Sequence, residues 1–219
     1  MPRTRSFFRT LVALGVALSL ASCAFTPHSR ESLSITPYTV LLVVPAVAQE
    51  ELHECGLASL ATLCGYHGVA IPVEQRQRLA TRAREREGLS GAELRAALLE
   101  LGLEAYLFQG SLDDASTGLY HQIDRGRLPL VMISLDGETL HTCLVTGYDP
   151  STKSVYLYDP ERGHLRLAAD NFDELWTKAR HFTLLALPRE PAPDEANAVG
   201  DELDEPTIPF LIPPTSETR

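Results

Sequence analysis

The segment QEELHECGLASLATLCG, residues 49–65, holds two side chains that could act together on a carbonyl group. Cys55 opens a run in which apolar residues recur at helical spacing, so we expect it at the start of a helix. There the helix dipole and unpaired backbone N–H groups favour the nucleophilic thiolate. Attack on a carbonyl also needs donors for the oxyanion. The backbone N–H of Cys55 is one, and the side-chain amide of Gln49, six residues upstream, could be the second.

Such a thiol needs a base, and one of the seven histidines is placed differently from the rest. His141 begins the apolar segment HTCLVTGYD, which predicts a strand with the imidazole at the rim of a sheet. We therefore predict His141 as the base. The other six lie in the N-terminal segment or at predicted turns, helix ends and strand starts: His28, His53, His67, His121, His164 and His181.

A carboxylate that accepts a hydrogen bond from the base would complete the site, and two Tyr-Asp-Pro triplets offer one. Asp149 lies eight residues beyond His141 on the same predicted strand. At the usual rise this is about 26 Å, which is too far. Asp159 ends the next strand, which turns back and brings it opposite Cys143 or its neighbour. Pairing with Cys143 puts Asp159 on the side of the sheet that carries His141, and we predict that register.

The elements around these residues predict helices first and a sheet afterwards, which is an α+β arrangement. Ser90 and Glu93 form a predicted capping box at the start of one helix. Helical spacing predicts a first helix that begins at residue 56 and ends at Gly65 or Gly68, and further helices over residues 73–87, 90–102, 112–125 and 170–179. β-Branched and aromatic segments predict strands over residues 38–44, 103–108, 128–135, 140–147, 154–158, 164–167 and 182–187.

Together these features resemble the C39 peptidases, a family of the papain-like clan. The resemblance rests on the Gln-x5-Cys-Gly spacing, the histidine of HTCLVTGYD and the Asp-Pro of YLYDPERG, and it spans residues 44–187. It implies a papain-like cysteine peptidase fold with N-terminal helices packed on an antiparallel sheet. It also implies that Cys55 is the catalytic nucleophile, His141 the base and Asp159 the group that orients it. Gln49 would be the oxyanion-hole donor.

The resemblance leaves the substrate open. Family members fused to transporters cut leader peptides after a double glycine, whereas this sequence shows no transmembrane bundle, no P-loop and no Gly-Gly pair. The expected substrate is a peptide or small protein, with no cofactor and no metal, since no His/Cys spacing resembles a zinc site. One alternative is a peptidoglycan endopeptidase with a Cys-His-His site, although Glu54-Cys55-Gly56 differs from the usual Asp-Cys-Ser-Gly stretch. Another is a catalytically inactive C39-like domain that binds an envelope protein.

Residues 1–22 have the features of an export signal. Three arginines precede LVALGVALSLA, residues 11–21, an apolar run too short to span a membrane comfortably. The Leu-Ala-Ser-Cys stretch ending at Cys23 resembles the lipobox of bacterial lipoproteins, which implies cleavage before Cys23 and lipidation of that residue. Two or more acyl chains anchor a protein stably. Ala24 follows rather than aspartate, which in Gram-negative bacteria implies the outer membrane, facing the periplasm. The alternative is an ordinary signal peptide beside an incidental Cys23.

Removal of residues 1–22 takes away three arginines and no acid, so the net charge falls from −10 to −13. So acidic a chain is not expected to bind nucleic acid.

Residues 188–219 hold eight acids, two arginines and seven prolines, a composition that predicts a disordered tail. Residues 23–37 are predicted as a linker, and residues 38–187 as a single C39-like peptidase domain. The expected partners are the substrate and the membrane, reached through the lipid.

Two cysteines have no place in this predicted site. Cys64 lies on the apolar face of the predicted helix, and Cys143 lies on the His141 side of its strand. An exported domain meets an oxidising compartment, so a Cys64–Cys143 disulfide is one alternative. The favoured alternative is a pair of buried thiols that pack as small apolar residues.

Overall fold

The computed structural model describes residues 33–134 and 136–189. The predicted signal segment, Cys23 and the predicted acidic tail beyond Arg189 lie outside these residues. The strands are β1 (Val40–Leu41), β2 (Leu103–Gln109), β3 (Pro129–Ile133), β4 (His141–Asp149), β5 (Ser154–Asp159), β6 (Gly163–Ala168) and β7 (Phe182–Pro188). The helices are α1 (Cys55–Tyr66), α2 (Val73–Glu85), α3 (Gly91–Glu100), α4 (Leu119–Asp124) and α5 (Ala169–Lys178).

The strands form one antiparallel sheet in the order β2-β7-β3-β4-β5-β6, with β1 added beside β4. The strand predicted over residues 38–44 is shorter than expected, because β1 pairs with β4 over Val40 and Leu41 alone. Gly147 permits this approach. A Cβ atom there would lie 2.3 Å from the carbonyl oxygen of Val40, and β4 bulges between Val145 and Gly147.

Alternating side chains of the sheet supply two apolar cores. Leu130 and Leu144 face α1 to α3, whereas their neighbours Val131 and Cys143 face α4 and α5. The sheet is therefore covered on both faces, with the N-terminal helices on one of them. This is the predicted α+β fold, and it is confirmed.

Local sequence explains where two of the helices begin. Ser90 caps α3 as predicted: its Oγ accepts from Glu93 N at 3.3 Å, and its own N–H donates to the Glu93 carboxylate at 2.9 Å. The helix predicted over residues 112–125 begins later, at Leu119. The carboxylate of Asp113 accepts hydrogen bonds from the Ser111 hydroxyl and the Ala115 amide, which fixes a turn before the helix can start.

The two cysteines outside the predicted site lie on opposite faces of the sheet. Cys64 is fully buried on the α1 side and Cys143 is fully buried on the α5 side, and both are free thiols. Since the sheet separates them, the structure favours two buried thiols over the disulfide. Within the described part of the chain, no helix has the length and apolar character needed to cross a membrane.

Asp149, at the end of β4, holds the N-terminal segment against the sheet through hydrogen bonds. Its carboxylate is buried and accepts hydrogen bonds from the Thr36 hydroxyl at 2.6 Å and the Thr39 hydroxyl at 2.7 Å. The same carboxylate accepts from the backbone amides of Ser151 and Thr152. Packing on the domain therefore extends into the segment predicted as a linker.

Candidate active site

Cys55 is the first residue of α1, as the sequence predicted. It is partly exposed, whereas the nine residues after it are buried against the sheet and the neighbouring helices. Among the described residues, no side chain caps the amides of the first turn of α1, so these N–H groups are available to stabilise negative charge. The hydroxyl of Ser59, one turn further along, donates to the carbonyl oxygen of Thr142 at 3.2 Å and holds α1 against the start of β4.

His141 and Asp159 meet across β4 and β5. The pairing of Leu144 with Tyr158 places Asp159 level with Cys143, which confirms the predicted register. As a result, His141 Nε2 lies 3.0 Å from Asp159 Oδ1. The carboxylate is almost completely buried, while the imidazole is about one-fifth exposed, with 22% of its side-chain surface accessible.

The imidazole also interacts with the thiol. His141 and the backbone of Thr142 both hydrogen-bond to Cys55. Burial opposes ionisation of the thiol, but these hydrogen bonds and the imidazolium charge outweigh it and lower the pKa of Cys55. Burial likewise works against the charged imidazole, yet its contacts with Asp159 and Cys55 raise the pKa of His141 to about 10. The arrangement therefore favours a thiolate–imidazolium pair over a neutral thiol and imidazole.

The turn after β5 holds Asp159 as a carboxylate. Its Oδ1 accepts from the backbone amides of Glu161 at 2.8 Å and Arg162 at 3.2 Å. The Arg162 guanidinium lies 3.6 Å from its Oδ2. Burial raises the pKa of Asp159, but His141 and the two backbone amides lower it further than burial raises it. Glu161 and Arg162 were not predicted as part of the site, although an Asx turn could have been inferred from the Asp-Pro-Glu-Arg-Gly stretch.

Gln49 lies next to the turn that carries Asp159. Its backbone N–H donates to the carbonyl oxygen of Pro160 at 3.0 Å, which connects the Gln49 loop to the turn that carries Asp159. Its side-chain Oε1 is buried and has no hydrogen-bond partner among the described residues. The amide oxygen therefore makes no contact that would have to break before the side chain bound a ligand.

Three side chains of this site could together ligate a cation. His141, Asp159 and Glu161 each offer a ligand atom within 4.8 Å of the others. A cation bound there would have to displace the His141–Asp159 contact. His141 and Asp159 already face each other as an ion pair, so the chemistry that this pair supports without a metal is proton transfer.

Comparison with known families agrees with this geometry. The family model of the Peptidase C39 family matches residues 43–187. The chain belongs to this family. Cys55, His141 and Asp159 lie within the matched region, as does Gln49. No match was found among curated proteins.

Solved structures of C39 peptidase domains have the same fold. A double glycine motif protease from an AMS/PCAT transporter, in complex with its leader peptide, is 22% identical over 68% of this chain and 94% of its own, with a TM-score of 0.53. The peptidase domain of Streptococcus ComA is 20% identical over 65% of this chain and 97% of its own, with a TM-score of 0.51. A C39-like peptidase from Bacillus anthracis is 17% identical over 70% of this chain and 99% of its own, with a TM-score of 0.53.

Proposed function

We propose that this protein is a cysteine peptidase that hydrolyses a peptide bond through Cys55, His141 and Asp159. The observation that carries the proposal is the chain of contacts from the thiol through the imidazole to the buried carboxylate. A structural cysteine would be inert in an apolar core, whereas Cys55 is partly exposed at an uncapped helix start. The group that contacts His141 is a carboxylate, which distinguishes the site from the Cys-His-His arrangement of the peptidoglycan alternative.

The proposed reaction follows from these positions. The Cys55 thiolate attacks the carbonyl carbon, and the electron pair of the carbonyl bond moves to its oxygen, which the Cys55 N–H and the Gln49 amide stabilise. The C–N bond then breaks as His141 gives its proton to the leaving amine. Water attacks the thioester while His141 accepts a proton from it. The C–S bond breaks, which releases the acid and restores the thiolate and the imidazolium.

We further propose that the peptidase acts outside the cytoplasm, held to the outer membrane by lipid on Cys23 and facing the periplasm. The support for this lies in the sequence: a basic segment, a short apolar run and the Leu-Ala-Ser-Cys stretch. The substrate would then be a peptide or small protein of the same compartment.

The pH dependence of Cys55 alkylation tests the proposed ion pair. In the wild-type protein, iodoacetamide should alkylate Cys55 with a midpoint below the ordinary thiol pKa of 9.0. His141→Ala removes the hydrogen bond and the charge of the imidazole, which lower the pKa of Cys55, but leaves burial, which raises it, so the midpoint should rise above that of the wild type. Peptide hydrolysis by the wild type should fall as the pH rises through about 10, where His141 loses its proton.

His121→Ala is the matched control, because α4 packs on the opposite face of the sheet from α1. It should leave the alkylation midpoint unchanged. An unchanged midpoint in His141→Ala would mean that His141 does not activate the thiol. A reactive Cys55 in a protein that cleaves no member of a broad peptide mixture would favour the binding-module alternative over an enzyme.

Replacement of Cys23 tests the proposed anchor. Cys23→Ser removes the thiol that would carry the diacylglycerol, so the protein should move from the membrane fraction to the soluble fraction on cell lysis. Cys55→Ser changes a cysteine elsewhere in the chain and should stay with the membranes. Equal membrane association of wild type and Cys23→Ser would show that lipid on Cys23 does not hold the protein there.

A further inference from the structure

The two oxygens of the Asp159 carboxylate have different surroundings. Oδ1 accepts hydrogen bonds from the backbone amides of Glu161 and Arg162 and lies 3.0 Å from His141 Nε2. Oδ2 is buried and accepts no hydrogen bond from any residue in the described part of the chain. A buried charge is stable only when neighbouring groups compensate it, so the group that compensates Oδ2 helps to decide how the carboxylate is oriented.

The Arg162 guanidinium provides this compensation. Its Nη1 lies 3.6 Å from Asp159 Oδ2, which makes the contact ionic rather than a hydrogen bond. Its Nη2 lies 3.5 Å from the Glu161 carboxylate, so the guanidinium lies between a buried carboxylate and an exposed one. Only 29% of the Arg162 side chain is exposed, and water therefore screens its contact with Asp159 less than it screens a surface ion pair.

The turn between β5 and β6 holds Arg162 in this place. Asp159 pairs with Gly163 across the two strands, so residues 160–162 form the connection. Gly163 has a φ of 79°, a left-handed conformation that favours glycine and lets the chain enter β6 directly after Arg162. Arg162 therefore contacts both oxygens of Asp159, with its backbone amide 3.2 Å from Oδ1 and its guanidinium beside Oδ2.

The charge of Arg162 also acts on a buried group beside the site. Cys143 is fully buried on β4, two residues beyond His141. Burial and the negative charges of Asp159 and Cys55 raise the pKa of Cys143, whereas the positive charge of Arg162 lowers it. The guanidinium therefore offsets the charge of Asp159 within the interior of the protein as well as at its surface.

We propose that Arg162 is a positioning residue, which holds the Asp159 carboxylate with Oδ1 towards His141 and so keeps the imidazole aligned for proton transfer. The inference rests on the proposed peptidase activity and adds a residue that acts on the reaction through Asp159. The carboxylate can turn about its last side-chain bond, because that torsion has no narrow minima. Without the guanidinium, Oδ2 loses its compensating charge, and orientations that carry Oδ1 away from His141 become populated. The two backbone amides still hold Oδ1, so the loss of alignment is partial.

The first test is turnover of a cleaved peptide by variants of the full chain. Arg162→Met keeps a long side chain but removes the charge, and should lower turnover about tenfold. This is only part of the cost of removing one partner from a fully buried ion pair, because the guanidinium is partly exposed. The loss should fall on kcat and leave KM unchanged, and Arg162→Lys, which restores a charge, should recover part of it. Arg166→Met, the same exchange at an exposed arginine of β6, should retain turnover.

The second test is proton NMR, which reports on the imidazole without any substrate. A proton on His141 Nε2 in a charge-assisted hydrogen bond to Asp159 gives a resonance far downfield, which Asp159→Asn identifies by abolishing it. This resonance should weaken or move upfield in Arg162→Met, recover in part in Arg162→Lys and stay unchanged in Arg166→Met. Circular dichroism checks the fold of each variant. If Arg162→Met does not fold, the smaller polar exchange Arg162→Gln takes its place.

Three outcomes would overturn the inference: an unchanged imidazole resonance in folded Arg162→Met, no Asp159-dependent resonance in the wild type, or a loss of turnover that Arg166→Met shares. If the wild type cleaves no peptide, the proposed activity fails by itself. The imidazole resonance then still decides whether Arg162 orients His141 through Asp159, because it requires no turnover.

Discussion

Replacement of Cys55 by alanine should abolish peptide hydrolysis while the protein stays folded. No other described nucleophile lies in contact with both His141 and the start of α1, so the thioester cannot form. The exchange removes one sulfur atom from a partly exposed position and creates no cavity in the core, so the melting temperature should change little. The measurements are hydrolysis of a peptide mixture by mass spectrometry and thermal unfolding by circular dichroism.

The two buried cysteines provide the control. Burial raises the pKa of Cys64 to about 12 and the pKa of Cys143 well above its ordinary value, so neither should react with iodoacetamide near neutral pH. Alkylation followed by peptide mapping should find label on Cys55 and not on these two residues. Cys64→Ala and Cys143→Ala should lower the melting temperature through lost core packing but retain hydrolysis. Hydrolysis that survives in Cys55→Ala, with the same products, would exclude Cys55 as the nucleophile.

The central contacts of the site could be predicted because they depend on periodicity. Helical spacing fixed where α1 begins, and therefore placed Cys55 at its N-terminus. The period of two along a strand then decided which register of β4 and β5 puts Asp159 on the side of His141. Both arguments use the pattern of apolar residues, which burial in a core imposes directly.

The two Tyr-Asp-Pro triplets show where local sequence stops being informative. Asp149 and Asp159 both accept hydrogen bonds from backbone amides two and three residues further on, so their local turns are alike. The difference lies in which other groups the fold brings to each carboxylate. Asp149 receives the hydroxyls of Thr36 and Thr39, whereas Asp159 receives His141. Tertiary position therefore separates a structural carboxylate from a candidate catalytic one.

Other features could not be predicted, because they depend on partners distant in sequence. The composition of residues 38–44 favours a strand but does not show how much of it finds a partner, and β1 pairs over two residues. Glu54 would be expected at the surface as an acidic residue before a helix, yet only 7% of the residue is exposed. No sequence pattern within residues 49–65 indicates that Glu54 is buried.

Replacement of Gln49 by alanine should lower turnover about 100- to 1,000-fold, the usual effect of losing one oxyanion donor. The side-chain amide oxygen is buried without a hydrogen-bond partner in the described chain, so loss of this side chain should cost little stability. The thiolate should persist, because the groups that lower the pKa of Cys55 are His141 and Thr142 rather than Gln49. Turnover should therefore fall while the rate of iodoacetamide alkylation stays at the wild-type value.

The Gln49→Glu variant tests whether the hydrogen bonds donated by the amide, rather than the size of the side chain, support turnover. The variant keeps the length of the side chain but places a carboxylate where the oxyanion develops, so turnover should fall at least as far as in Gln49→Ala. The backbone bond from residue 49 to the carbonyl of Pro160 is available to both variants, so the turn that holds Asp159 should remain in place. Should Gln49→Glu hydrolyse peptides as fast as the wild type, the second donor must come from elsewhere. The uncapped amides at the start of α1 would then be the groups that stabilise the oxyanion.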